Sequence, residues 1–382
     1  MTSVVAPPVR RIHEVDAVRG FALAGILIAN IGLFADPRIF SAPAAGADGV
    51  VGFVVNTLVL SKFYVLFSFL FGYSFTLQMR SAEQAGAGVV GRILRRSLGL
   101  FLIGLVHGLL LWPGEILTLY AALGLILLTM RNVKPRTAVI TALVILGVVA
   151  LLYATFAVLA TLSPEPITAS TPLTEAEGAR IMAEIRGGPL EVLGVNVQHY
   201  LQTVPLIWFA QGPTAMAMFL LGLVAGKSRL FERLDEWPGR LSAVQWIGFG
   251  VGLPAAVLYA YLAGDQSTGF FAAIALTTLT SPLLSAAYVV TLLRAGRRFP
   301  AVHSALAPAG RVAASNYIGQ SVLCCLVFTG YGLALAGRIP PLGVMGVAVV
   351  IYLVLVALSA WWLRKHRYGP VEYVMRRFTN WR

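Results

Sequence analysis

The chain has 382 residues, 58% of them hydrophobic and only 12% charged, with a mean hydropathy of +0.80. Soluble domains carry about a quarter of their residues as charges, so this composition excludes a soluble globular protein and describes a polytopic membrane protein. The net charge of +13 does not point to nucleic acid, because no basic stretch is interleaved with base-stacking aromatics.

Ten stretches approach the roughly 20 apolar residues that a membrane crossing needs: 17–35, 62–80, 93–112, 115–131, 137–160, 203–226, 241–263, 270–293, 312–336 and 341–363. The segments 80–96, 131–136, 227–240, 294–311 and the tail 364–382 are basic. All but five of the 29 Lys and Arg (Arg38, Lys62, Arg180, Arg186 and Arg338) fall on that side. The positive-inside rule then puts both termini in the cytoplasm. The expected fold is all-α, a single membrane domain of about ten transmembrane helices. Arg10 and Arg11 before an apolar run, with small residues at 41–45 after it, look like a secretory leader. Asp16 and Arg19 interrupt where a leader must be apolar, so the segment is expected to stay as the first helix.

That first segment carries an acid, an arginine and an amide, each costly in hydrocarbon. Arg19 and Asn30 are eleven residues apart, close to three helical turns, so both share one face with a rise of about 16 Å between them. Asp16, one turn before Arg19, is placed to neutralise it as an i,i+3 pair. Residues 50–61 are too short to span and read as an interfacial or re-entrant helix leading into Lys62. The third span repeats the first: Arg96 and His107 are again eleven residues apart, which puts His107 at about the depth of Asn30. Gly104 and Gly108 form a small-xxx-small pair beside the histidine. The turn Trp112-Pro113-Gly114-Glu115 brings Glu115 to the outer boundary.

The span 137–160 has no polar stripe and is expected at the lipid-facing periphery. Residues 163–202 form the one sizeable extracytoplasmic segment. Thr174 followed by Glu177 is a capping-box pattern, and Ile181 with Ile185 makes a short amphipathic helix; a solvated connector and a lid over a cavity both fit it. Pro213, after Gln211 and Gly212, is expected to kink or break the sixth span. Asn316 and Gln320 lie one turn apart in the ninth span with Tyr317 between them, and are expected to face inward with Asn30, His107 and Gln211. The basic tail, with Phe378 and Trp381, is expected to lie on anionic headgroups. Cys324 and Cys325 are adjacent, badly placed to bridge, and read as small core residues. No zinc spacing, phosphate-cradling glycine loop or serine-centred nucleophile motif is present, and no metal is expected.

Five stretches together resemble one family. They are Asp16-Ala17-Val18-Arg19-Gly20-Phe21 with Asn30, Lys62-Phe63-Tyr64 through Gly72, Gly104-Leu105-Val106-His107 with Gly114-Glu115 and Tyr120, Asn316-Tyr317-Ile318-Gly319-Gln320-Ser321, and Gly369-Pro370-Val371-Glu372 with Arg376. In this order they resemble the bacterial YeiB family of membrane proteins, along nearly the whole chain. The opening motif also resembles the first helix of the transmembrane acyltransferases, such as heparan-α-glucosaminide N-acetyltransferase and the bacterial surface-sugar acyltransferases. That resemblance implies a protein of the bacterial inner membrane, an acyl-CoA (acetyl-CoA) donor entering from the cytoplasm, and a sugar or lipid-linked acceptor on the far side. Where the sugar acyltransferases place a histidine eleven residues after the arginine, this sequence has Asn30.

His107, the one histidine inside any expected span, supplies a substitute as general base toward the acceptor. Asn30, Gln211 or Gln320 would donate to the developing oxyanion, and Glu115 would orient His107 or accept a proton. Arg19, with Asp16, and Arg96 would receive the phosphates of the donor. Gln211, Asn316, Tyr317, Gln320 and Lys62 are the candidates for substrate binding. Each polar group has an alternative as interhelical glue or as a plain anchor. A small-molecule permease with a midplane polar site is the other reading, drawn from the expected kink or break at Pro213 together with the midplane polar groups; a receptor or scaffold is a third. The sequence leaves the oligomeric state open, a homodimer included.

Overall fold

The computed structural model describes residues 12–36, 38, 46–163, 174–263 and 268–380. Arg10 and Arg11, the run 41–45 and Trp381, weighed above, lie outside the described residues. The described chain is built of helices: α1 His13–Ala35, α2 Gly46–Leu58, α3 Lys62–Gln84, α4 Val89–Leu110, α5 Leu117–Thr129, α6 Pro135–Leu162, α7 Glu175–Ile185, α8 Pro189–Lys227, α9 Pro238–Ile247, α10 Leu253–Leu262, α11 Thr268–Arg298, α12 Pro300–Arg311, α13 Ala313–Phe328, α14 Pro341–Trp362 and α15 Pro370–Thr379. Among the described residues, eight helical stretches are long and apolar enough to cross a membrane. Two of the ten expected spans correspond to shorter apolar helices, α5 with 13 residues and α13 with 16.

The longest pairing is α3 against α8, and glycine makes it possible. A Cβ on Gly72 would run into the backbone carbonyl of Phe219, and one on Gly222 into that of Phe69, so the two backbones touch at a reciprocal crossing. This contact helps explain why α8 passes through Pro205 and Pro213 without ending. Each proline removes one ladder hydrogen bond, but the helix is held along its side, and of the expected kink or break at Pro213 the break does not occur. At 39 residues and 1.5 Å per residue, α8 is about 58 Å long, well beyond the roughly 30 Å of hydrocarbon. It begins at Pro189, so the second part of the segment 163–202 is helical and continuous with the sixth span.

Two further expectations are corrected, and the basic tail is more closely packed than its composition alone required. The basic stretch 294–311 is not a loop: α12 occupies most of it and lies along α1, where Gly20 packs directly against the carbonyl of Leu306 and Gly310 against that of Asp16, with no room for a Cβ at either. The ninth span stops at Phe328, and the chain folds back on it through hydrogen bonds from Leu333 to the carbonyl of Leu326 (2.8 Å) and from Ala336 to that of Phe328 (3.1 Å). That return needs left-handed backbone at Ala334 (φ 53°) and Gly337 (φ 63°). The basic tail packs α15 against α4 and α13 with Met375 buried. Its Tyr373 and Val374 point outward.

Other local signals appear as expected. Thr174 and Glu177 form a reciprocal capping box, with Ile181 and Met182 buried beneath α7. α6 leaves much of its apolar surface exposed, Leu143, Val144, Val148 and Leu151 among it. Cys324 and Cys325 are both free and buried. At the end of α1, burial works to raise the Asp36 carboxyl, but the hydrogen bonds and charge of Arg38 outweigh it and hold the group below its ordinary value. The pair is bidentate, at 2.9 and 2.8 Å.

Candidate functional site

A cavity of about 470 Å3 opens at the basic end of the bundle, between the starts of α1, α4 and α13, the middle of α3, and α15. Five arginines line it: Arg19, Arg92, Arg96, Arg311 and Arg376. Arg19 forms the expected pair with Asp16 at 3.0 Å and reaches Ser74 on α3 at 2.5 Å. Arg96 lies close enough to Arg19 and Glu372 for their charges to act on it, and its Nε is buried without a hydrogen-bond partner. Arg376 lies over the ring of Tyr368 at 4.5 Å. Thr379 adds a second buried, unpartnered polar atom, its hydroxyl.

Away from the arginines the lining turns apolar and aromatic, through Phe67, Phe71, Leu100, Ile103, Leu117, Tyr120 and Tyr317. Tyr120 is fixed by Ser68 at 2.6 Å. Tyr317 is a boundary: it lines the cavity on one side, and its ring packs against that of His107, centroids 5.1 Å apart, on the other. His107 itself is buried and outside the lining. Its Nε2 shares a 2.8 Å hydrogen bond with Ser321 Oγ, one turn beyond Tyr317 on α13, and its Nδ1 has no partner.

Glu115 is fully buried and fastened to the start of α5, accepting from the backbone of Leu117 (2.7 Å) and Thr118 (2.9 Å) and from the Thr118 hydroxyl. Gly104 lets it in, since a Cβ there would stand 2.8 Å from Glu115 Oε2 and from the Thr118 nitrogen. The carboxylate thus meets amides a helix N-terminus leaves unsatisfied.

The remaining candidates do not gather in one chamber with His107. Asn316 ties α13 to its neighbours, donating to the carbonyl of Ala309 (3.0 Å) and to Ser359 (2.8 Å). Gln320 donates to the carbonyl of Leu23 on α1 at 2.9 Å. Lys62 is buried with its ammonium on the carbonyl of Asn56 (2.9 Å) and 5.1 Å from the Tyr259 ring. Asn30 and Gln211 are half-buried and outside the cavity lining. The physical reason is economy of partners: where water is absent, an amide or ammonium takes the nearest backbone carbonyl. Helical phase sets a side chain's direction but not which neighbour lies there.

Sequence reasoning did not single out Arg92, Arg311 or Thr379, and met Ser321 only as the last residue of a motif, without a role. Arg92 and Arg311 sat in segments read as topology signals. Nothing short of knowing that α12 and α15 fold back would have placed Arg311 and Thr379 here. Among the described residues, no group of three or more His, Cys, Asp or Glu is arranged to hold a metal ion.

A family model described as a protein of unknown function, DUF418, matches residues 225–382. The chain is 29% identical to the uncharacterized protein YxaH of Bacillus subtilis over 97% of this chain and 94% of that protein. It is 27% identical to the uncharacterized protein YeiB of Escherichia coli, over 95% of each. The chain is thus similar to YxaH and YeiB along nearly its whole length, and to the DUF418 model in its C-terminal part. The segment matched by the family model contains α12 to α15, and with them Arg311, Tyr317, Glu372 and Arg376 of the cavity.

Proposed function

We propose that this protein is a membrane-embedded acyltransferase of the bacterial inner membrane, taking an acyl group from cytoplasmic acyl-CoA to a sugar or lipid-linked acceptor. The observation that carries the reading is the join within one cavity of a five-arginine mouth and an apolar, aromatic depth. Guanidinium groups suit phosphates through paired N–H donors, and the apolar depth suits a thioester and its acyl chain. Arg19 and Arg96 hold the donor's phosphates. Asp16 and Ser74 set the direction of Arg19.

In transfer, an acceptor hydroxyl or amine attacks the thioester carbonyl, its proton passes to an imidazole, and the CoA thiolate leaves. His107 is the histidine for that step. It lies directly behind Tyr317, so the step requires the Tyr317 ring to swing aside and admit the reacting carbonyl to the imidazole. Glu115 acts at one remove, by fixing the turn that packs against Gly104 and Gly108. The permease reading rested on a broken sixth helix and a midplane polar set; α8 is continuous through Pro205 and Pro213, and Asn316 and Gln320 are bonded to neighbouring helices.

The test is thermal unfolding of the purified protein in detergent with acetyl-CoA. A ligand that binds only the folded state stabilises it by about 2.7 kcal/mol at a hundred times its Kd. The expected result is a rise in Tm that Arg19→Gln and Arg96→Gln each reduce. No shift at millimolar acetyl-CoA overturns the reading.

A further inference from the structure

The cavity has a held mouth and a definite floor. At the mouth α15 is tied to α4 through Arg95, which donates to the carbonyl of Thr379 at 3.0 Å. From there the lining runs inward along α3 from Ser81 to Phe67 and along α4 from Arg92 to Ile103. Beyond Ile103 the next turn of α4 is taken up by Glu115, seated against Gly104. Beyond Phe67 the space is crossed by a side chain from α5. Tyr120 reaches over to α3, where its hydroxyl shares a 2.6 Å hydrogen bond with Ser68 and stands 3.2 Å from the carbonyl of Tyr64. Ser68 donates to that same carbonyl at 2.8 Å. The cavity closes on the Tyr120 ring, which is 1% exposed, while Phe67, Phe71 and Ile103 around it are partly exposed.

This floor is braced from behind. The Tyr120 ring meets Phe71 and Phe219 edge-on, with centroids 5.3 and 5.1 Å away. Phe219 is the residue whose carbonyl lies against Gly72 at the crossing of α3 and α8. A ring tethered at its far end and backed by two touching backbones keeps its place, because a close-packed interior transmits strain instead of yielding. Depth follows from helix rise. Ser74, which fixes Arg19, is seven residues from Phe67, and Arg96 is seven residues from Ile103. Both helices therefore give about 10 Å below the arginines. Whatever part of the donor's arm passes the arginines shares that depth with the acyl group.

We infer that Tyr120 is the residue that limits the length of the acyl group, admitting a short one such as acetyl and excluding a medium-chain one such as hexanoyl. This rests on the donor reading proposed above and adds to it the side chain that sets the chain length.

The experiment measures, by thermal unfolding of the full chain in detergent, its affinity for CoA, acetyl-CoA and hexanoyl-CoA. In the parent, hexanoyl-CoA binds roughly tenfold or more weakly than acetyl-CoA, the scale of overpacking a close-packed wall. Tyr120→Leu shortens the strut and recovers that loss for hexanoyl-CoA while acetyl-CoA binds as before. Tyr120→Phe keeps the ring and keeps the parent's preference. If Tyr120→Leu does not fold, Ser68→Ala, which removes the shorter of the ring's two hydrogen bonds, carries the test through a gain for hexanoyl-CoA alone. Equal affinity for acetyl-CoA and hexanoyl-CoA in the parent, no gain in the folded variant, or the same gain in Tyr120→Phe overturns the inference and leaves the donor reading standing. No shift with any of the three compounds overturns the donor reading and the inference with it.

Discussion

Glu372 accepts the backbone N–H of Ala314 at 2.7 Å across 58 residues of sequence. The start of α13 is therefore capped by a carboxylate from another helix, and the same contact anchors α15 over the cavity. Loss of a helix cap costs about 1 kcal/mol. Glu372→Ala is expected to raise amide hydrogen exchange across 370–380 while exchange in α3 and α8 stays as it was; unchanged exchange in α15 would mean that Arg95 and Met375 suffice to hold it.

The crossing of α3 and α8 makes a sharper demand. Gly222→Ala puts a methyl against the carbonyl of Phe69, and overpacking of this kind costs about 1–3 kcal/mol or more. Gly147 on the exposed side of α6 has nothing within 4 Å of a built Cβ, so Gly147→Ala is expected to be neutral or stabilising. Thermal unfolding of the two variants side by side checks the contrast.

Packing and chemistry can be separated at His107. Ser321→Ala leaves the imidazole without its one hydrogen bond, a loss of about 1–3 kcal/mol. His107→Gln keeps a side-chain amide for Ser321 and is expected to unfold near the parent temperature, yet to lose acyl transfer by at least a hundredfold, the scale of general-base catalysis. Full transfer activity in a folded His107→Gln protein would remove the histidine from the mechanism.

Acid should act at the opposite end of α1. The Asp36 carboxyl titrates below its ordinary value of 3.8 because of Arg38. Its stabilising contribution is present above that ordinary value and is lost as pH falls through the lowered one. The pair is partly exposed, so the effect is small, no more than about 1 kcal/mol. Asp36→Asn should lower Tm slightly at neutral pH and converge with the parent in acid; a constant difference at all pH values would contradict the assignment.

The features legible in the sequence were those set by short-range geometry. The pairing of Asp16 with Arg19 follows from i,i+3 spacing, and the box at Thr174 and Glu177 is a local hydrogen-bond exchange. The approach of α5 at Gly104 follows from a missing side chain. The rest depended on what lies across a helix face. Pro213 looked like a break because the contact that steadies α8, at Gly72, is far away in sequence. The amides of Asn316 and Gln320 looked like a converging polar set, yet each found a carbonyl on a different neighbour. Arg311 was read as a charge that orients the chain and Arg376 as part of a motif in the basic tail, because hydropathy does not reveal that α12 and α15 turn back beneath the bundle to bring them to Arg19.

One buried pair has a practical consequence. The chain has two cysteines, Cys324 and Cys325, and both are sealed inside α13. The native protein should therefore be nearly silent to a thiol-directed dye in its folded state. A single cysteine introduced beside Arg377, or on the exposed face of α7, would report by itself, so the sidedness of each end of the molecule can be mapped in intact cells without first stripping the protein of its own thiols.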